Sequence, residues 1–144
     1  MQTTMNEIRS ATTIDAPIDR VWAAITTPSE LKKWFFGVDT EAEWKVGGRL
    51  VHRGEYEGKP YIDEGEILAF EPPRRLVHTH WSDVSGLADV PENYQEVAWD
   101  LTERAGGTQL TITERNLPSD DAAKTSEEGW KGALESRLKK LLEG

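Results

Sequence analysis

The stretch from Thr125 to Leu142 constrains this chain most. It places Trp130, Ala133, Leu134, Leu138, Leu141 and Leu142 at i, i+3, i+4, i+8, i+11 and i+12, one apolar stripe at the period of an α-helix. Thr125, with Glu128 three residues on, reads as a capping box that starts the helix. Glu127 with Lys131 and Glu135 with Lys139 are acid-before-base pairs at i, i+4, set away from the stripe on a solvated face. Such a helix runs roughly 25 Å at about 1.5 Å per residue, the span of a small sheet. Its apolar side must be covered, and nearly everything earlier in the chain reads as strand.

Ile8 to Ile14 is a β-branched strand that ends at Ala16-Pro17, with the proline at a first helical position. Ile18, Val21, Trp22 and Ile25 then keep the spacing of a short amphipathic helix. Thr27-Pro28-Ser29-Glu30 opens a second with a capping box, and Leu31, Trp34 and Phe35 form its buried face. From Val38 the period becomes two. Strands over Asp39 to Lys45 and Gly48 to Tyr56 meet at Val46-Gly47-Gly48, and Gly58-Lys59-Pro60 leads into Tyr61 to Phe70. After Pro72-Pro73 comes Arg75 to Trp81. Ser82 to Asn93 is the longest irregular stretch and the candidate for a mobile lid. Tyr94 to Glu103 and Thr108 to Arg115 form a last hairpin, followed by an acidic linker into the long helix. Sequential hairpins predict an antiparallel sheet with the helix laid on its concave side, an α+β fold in two layers.

At 144 residues and 37% apolar content, residues 1–144 read as one domain. The net charge of -9 argues against nucleic acid or an anionic membrane as partner, since both need clustered Lys and Arg. Without cysteine, disulfides, thiolate catalysis and cysteine-zinc sites are excluded. No apolar run reaches the roughly 18 residues of a membrane span, and Met1 to Glu7 lacks a signal-peptide pattern, so a cytoplasmic, soluble chain is expected. No cofactor is expected. Six tryptophans point to aromatic walls in a core or around a cavity.

Alternate residues of a strand share a face, so parity separates inner from outer side chains. Val97, Trp99 and Leu101 are in phase, as are Leu110, Ile112 and Glu114. Leu50, His52 and Gly54 form a third set. For Arg75 to Trp81 the inward set is Leu76, His78 and His80, with Val77, Thr79 and Trp81 as the competing choice. Every histidine, and one carboxylate, thus falls on the candidate inner face. Three readings of that coincidence stand open. His78 and His80 form an H-x-H pair roughly 7 Å apart in Cα that could share a metal ion, but His52 and Glu114 each lie two strands off, about 10 Å. Glu114 desolvated against Trp99 and Trp130 could exchange protons with His78 or His80 in an enzyme, although no nucleophile or oxyanion motif accompanies them. Or these are hydrogen-bonded polar groups in a half-wet pocket, which favours a ligand with a polar end and no metal.

The runs Ile14-Asp15-Ala16-Pro17 with Val21-Trp22, Leu31-Lys32-Lys33-Trp34-Phe35, Val46-Gly47-Gly48-Arg49, Glu71-Pro72-Pro73-Arg74-Arg75-Leu76-Val77-His78-Thr79 and Gly129-Trp130 with Leu134, Leu138 and Leu142 resemble the bacterial homologues of the heat-shock protein 90 ATPase activator. That family belongs to the START-like (SRPBCC, Bet v-like) superfamily, and the resemblance runs from about Ile8 to Leu142. It implies a helix-grip fold: a curved antiparallel sheet of about seven strands around a long C-terminal helix, two short helices after the first strand, and a cavity between sheet and helix. In that fold Trp34 would sit where the short helices close the mouth. The ligand-contacting set expected from parity and resemblance together is Trp34, His52, His78, His80, Trp99, Glu114, Trp130 and Leu134. Small residues at Gly129 and Gly132 would leave room for a neighbour or a ligand. The superfamily hosts many functions. The expectation is a carrier or sensor of a small hydrophobic or amphipathic molecule, monomeric or homodimeric. Activation of a chaperone ATPase, and a cyclase or dehydratase using Glu114 with His78 or His80, are the alternatives.

Overall fold

The computed structural model describes residues 6–143. Of the stretch Met1 to Glu7, in which no signal-peptide pattern was read, the first five residues lie outside the described part. Strand β1 (Asn6–Ile14) is followed by helices α1 (Ile18–Thr26) and α2 (Pro28–Trp34). Then come β2 (Asp39–Ala42), β3 (Arg49–Tyr56), β4 (Lys59–Glu71), β5 (Arg75–Ser82), β6 (Gln95–Arg104) and β7 (Gly107–Leu117). The C-terminal helix comprises α3 (Asp120–Gly132), a π-helical stretch (Ala133–Leu138) and α4 (Lys139–Glu143). All strands pair antiparallel in the order β1-β7-β6-β5-β4-β3-β2, so the meander from β2 to β7 is completed when β7 returns to β1. This is the α+β helix-grip fold, with a long helix of 24 residues against the curved sheet.

The helix starts earlier than the sequence pattern indicates. Ser119 is its N-cap, the Oγ accepting the Ala122 N–H at 3.0 Å, and the acidic stretch read as a linker forms the first turns. Asp120 and Asp121 there face the positive end of the helix dipole, which is why acidic residues collect at this point. Thr125 and Glu128 lie inside the helix and form no capping box. Glu135 and Lys139 pair loosely at 3.9 Å, while Glu127 and Lys131 make no ion pair with each other. Gly129 and Gly132 are exposed, with open space where a Cβ would stand, so neither makes room for a neighbour or a ligand. Thr27 caps α2 by position, with Pro28 next, but its side chain makes no capping bond, and Glu30 turns instead to Arg20 and Lys33. Strand β2 stops at Ala42 rather than Lys45, because the chain bends back at Glu43 to Gly48 and Gly47 adopts a φ of +85°.

The core lies between sheet and helix. Ile14, Ile67, Leu76, Leu110, Ile112, Leu134 and Leu138 are essentially inaccessible to solvent, each contributing about 1.5–3 kcal/mol through burial. The π-helical stretch carries Ala133, Leu134 and Leu138 into this layer. Trp34 is buried as well, its indole N–H donated to the Ala24 carbonyl at 2.9 Å, which ties α2 to α1. Among the described residues no helix is long and apolar enough to cross a membrane.

Candidate functional site

The inner face carries the parity sets Leu76, His78 and His80, and Leu110, Ile112 and Glu114. The competing set faces outward: Trp81 stacks on Tyr94 with ring centroids 6.2 Å apart and donates its indole N–H to the Leu87 carbonyl, and Thr79 lines an outer groove. Pairing aligns the inner side chains in transverse rows. Glu114 on β7 is opposite Val97 on β6, which is opposite His78 on β5 and, through it, Ile67 on β4. His52 on β3 is opposite Asp63 on β4, and Asp63 opposite Ser82.

Between these rows and the C-terminal helix lies a cavity of about 150 Å³. Its walls are Phe35 after α2, His52, Asp63, His78 and His80, Val97 and Trp99, Glu114, and Ser126 and Trp130 on α3. Of the expected set, His52, His78, His80, Trp99, Glu114 and Trp130 come together here. Trp34 and Leu134 are placed in the core outside the lining, and Trp34 meets Trp99 edge-on from behind at 6.2 Å. The size is decisive for what could enter. Pockets for drug-sized ligands run from roughly 300 Å³ upward, whereas about 150 Å³ holds a benzene-sized group.

Each polar group has a definite partner. Trp99 donates its indole N–H to His78 Nε2 at 2.9 Å, and His78 Nδ1 faces the Thr79 carbonyl at 2.9 Å. An indole only donates and a carbonyl only accepts, so His78 is neutral with its proton on Nδ1. Burial pushes its pKa down to about 3, and the neighbouring His52 and His80 add to that. His80 is the opposite case. Its Nδ1 meets Gln95 Oε1 at 3.2 Å and its Nε2 meets Asp63 Oδ2 at 3.2 Å, two acceptors that both call for a proton. Burial acts to lower its pKa, but the hydrogen bond and charge of Asp63, with Gln95 and Glu114, outweigh burial and raise it. For Asp63, burial acts upward and is outweighed by His80, with help from the Ser82 hydroxyl, so the carboxyl stays below its ordinary range. Asp63 Oδ1 is buried without a partner among the described residues. His52, whose Nδ1 lies 2.8 Å from Thr40 Oγ1, is pushed down to about 4 by burial. Glu114 Oε1 accepts from both Trp130 Nε1, at 3.1 Å, and the Ser126 hydroxyl.

Gly65 lies on β4 two residues from Asp63, beside the His80–Asp63 pair. A Cβ at that position would stand 1.8 Å from the Thr79 carbonyl oxygen, so only glycine lets β4 approach β5 beside the pair. Phe35 closes one side, stacked on Trp130 at 5.8 Å and edge-on to His52 at 5.6 Å. The candidate lid, Ser82 to Asn93, does not reach the cavity. Trp81 and Tyr94 hold it against the outer face, with the Tyr94 hydroxyl donated to Asp89 at 2.6 Å, and no residue of it lines the void. A larger groove of about 380 Å³ beneath it, lined by Glu64, Glu66, Thr79 and Tyr94, is open and lies across the sheet from the histidines.

Sequence reasoning missed Asp63, Gln95, Ser126 and Phe35. Asp63 was within reach, since it is in phase with buried Ile67 two pleats away on β4. Among the described residues no group of three or more His, Asp or Glu is placed to hold a metal ion.

The chain is similar to known structures over nearly all its length. ChR145 from Cytophaga hutchinsonii is 38% identical, with 95% of this chain and 93% of that one covered and a TM-score of 0.82. CalU16 from Micromonospora echinospora is 29% identical over 90% of this chain and 71% of that one, with a TM-score of 0.70. DynU16, a protein in the dynemicin biosynthetic locus, is 25% identical with a TM-score of 0.78, and the match covers 96% of this chain but 47% of that one. No match is found among curated proteins. The family model of the Activator of Hsp90 ATPase homolog 1-like proteins matches residues 15–143, and the chain therefore belongs to that family, within the START-like superfamily.

Proposed function

We propose that this chain is a binding protein for a small amphipathic molecule held between the sheet and the C-terminal helix. The observation that carries the reading is the cavity of about 150 Å³, with Phe35, Trp99 and Trp130 as apolar walls and His52, Asp63, His80 and Glu114 as polar groups set into its lining. A few placed polar groups in an aromatic pocket are the usual composition of a ligand site. The volume argues for a guest of benzene-like size and against a lipid. Similarity to a protein of the dynemicin biosynthetic locus is in keeping with a small organic ligand.

The enzyme reading has less support, because both nitrogens of His78 and both of His80, the bases expected to work with Glu114, are already engaged. Activation of a chaperone ATPase is supported by the family description, and stimulation of the host chaperone's ATP hydrolysis by saturating protein is its test.

Binding is tested by native mass spectrometry of protein purified from its own host, together with titration of a small aromatic probe against tryptophan fluorescence. A bound mass or a saturable change is expected, and Val97→Phe, which fills the void from β6, should abolish it. Absence of any guest, or binding unaffected by Val97→Phe, refutes the assignment.

A further inference from the structure

Deepening the binding reading, on which it rests, the geometry points to a small organic cation, an ammonium or amidinium on a benzene-sized body, as the class of guest this cavity selects. The Trp99 indole N–H is committed to His78, and the Trp130 N–H and Ser126 O–H to Glu114 Oε1. The His78 Nδ1–H is committed to the Thr79 carbonyl, and the two N–H groups of His80 to Gln95 and Asp63. Each of these donors in the wall is spent. Glu114, only 5% exposed, still has Oε2, which takes no hydrogen bond from the described residues. His52 is neutral and can present either a donor or an acceptor at Nε2, because the Thr40 hydroxyl works in both directions. The cavity therefore offers Glu114 Oε2 as a fixed acceptor, while its uncommitted donor, at His52 Nε2, exists in only one of two tautomers, which favours a guest that donates.

Charge points the same way. Two carboxylates, Asp63 and Glu114, share the lining with one imidazolium, His80, and among the described residues no other cation lines the space. An anion entering this low-dielectric enclosure would meet net negative charge, with only the His52 Nε2–H of one tautomer to offset its desolvation among the described residues. A cation meets Glu114 Oε2 and the electron-rich rings of Phe35, Trp99 and Trp130, which attract positive charge through their quadrupoles.

Three probes of similar shape test this: benzylammonium, benzyl alcohol and benzoate, titrated at pH 7 and low salt against tryptophan fluorescence and the indole N–H resonances of Trp99 and Trp130. Benzylammonium should bind at least tenfold more tightly than benzyl alcohol, with benzoate weakest. Glu114→Gln should bring the ammonium down to the level of the alcohol while leaving the alcohol unchanged. Benzoate equal to or tighter than the ammonium, or an ammonium preference that survives Glu114→Gln, overturns the inference but leaves the binding reading intact, because the cavity is then occupied. Failure of all three probes to bind overturns both. Should Glu114→Gln not fold, the ranking on the unaltered chain decides alone.

Discussion

Trp99 on β6 donates its indole N–H to Nε2 of His78 on β5 across 2.9 Å, although the two are not opposite one another in the sheet. Trp99 is paired with Leu76 and His78 with Val97, so the bond runs diagonally along the inner face, a distance that a long aromatic side chain can reach. It fixes the tautomer of a buried histidine and stands Trp99 against Trp130, whose rings meet at 90° and 5.2 Å.

Replacing Trp99 by Phe keeps most of the apolar surface but strands His78 Nε2 without a donor. A loss of about 1–3 kcal/mol is expected in urea unfolding, the cost of an unsatisfied buried acceptor. The double variant Trp99→Phe with His78→Leu should lose less than the sum of the two single losses, because both partners are then apolar. Simple additivity would show that the bond carries no stability.

Stability should pass through a maximum near pH 6.5. His52 and His78 are buried neutral, with pKa values pushed by burial to about 4 and about 3 from an unfolded value of about 6.5. Below pH 6.5 the unfolded chain therefore binds more protons than the folded one, and acid destabilises. By pH 5 the cost is about 2 kcal/mol for each histidine. His80 has the opposite sign: its raised pKa gives stability that is complete below 6.5 and is lost as pH rises through the folded value. Urea unfolding from pH 5 to 8 measures this, and His52→Gln should reduce the acid slope by about one proton. A profile flat below pH 6.5 would contradict neutral burial.

The start of the C-terminal helix can be located by two alanine substitutions. Ser119→Ala removes the side chain that accepts from Ala122 N–H and should cost about 1 kcal/mol. Thr125→Ala, an exposed change within the helix, should stay within about 0.5 kcal/mol. Thermal unfolding of both variants separates them, and a larger loss at Thr125 would move the cap back to the position its sequence spacing favours.

Much of the architecture was written in local pattern. The stripe from Trp130 to Leu142, the two-residue period of the strands and the glycine turns dictate an antiparallel meander on one helix, because each is a short-range rule of backbone geometry. Parity also placed His52, His78, His80 and Glu114 on one face. The cap at Ser119 escaped because Ala122, three residues on, completes no capping box whereas Thr125 and Glu128 have that spacing, and only the course of the chain after β7 selects between them. What tertiary structure decided was chemical state. Whether a histidine is neutral or charged depends on the atoms opposite its two nitrogens. For His78 those are an indole from β6 and its own strand's carbonyl, and for His80 a carboxylate from β4 and an amide from β6. His78 and His80 are alike in sequence context, and the different partners brought to them across the sheet make one an inert base and the other half of an ion pair.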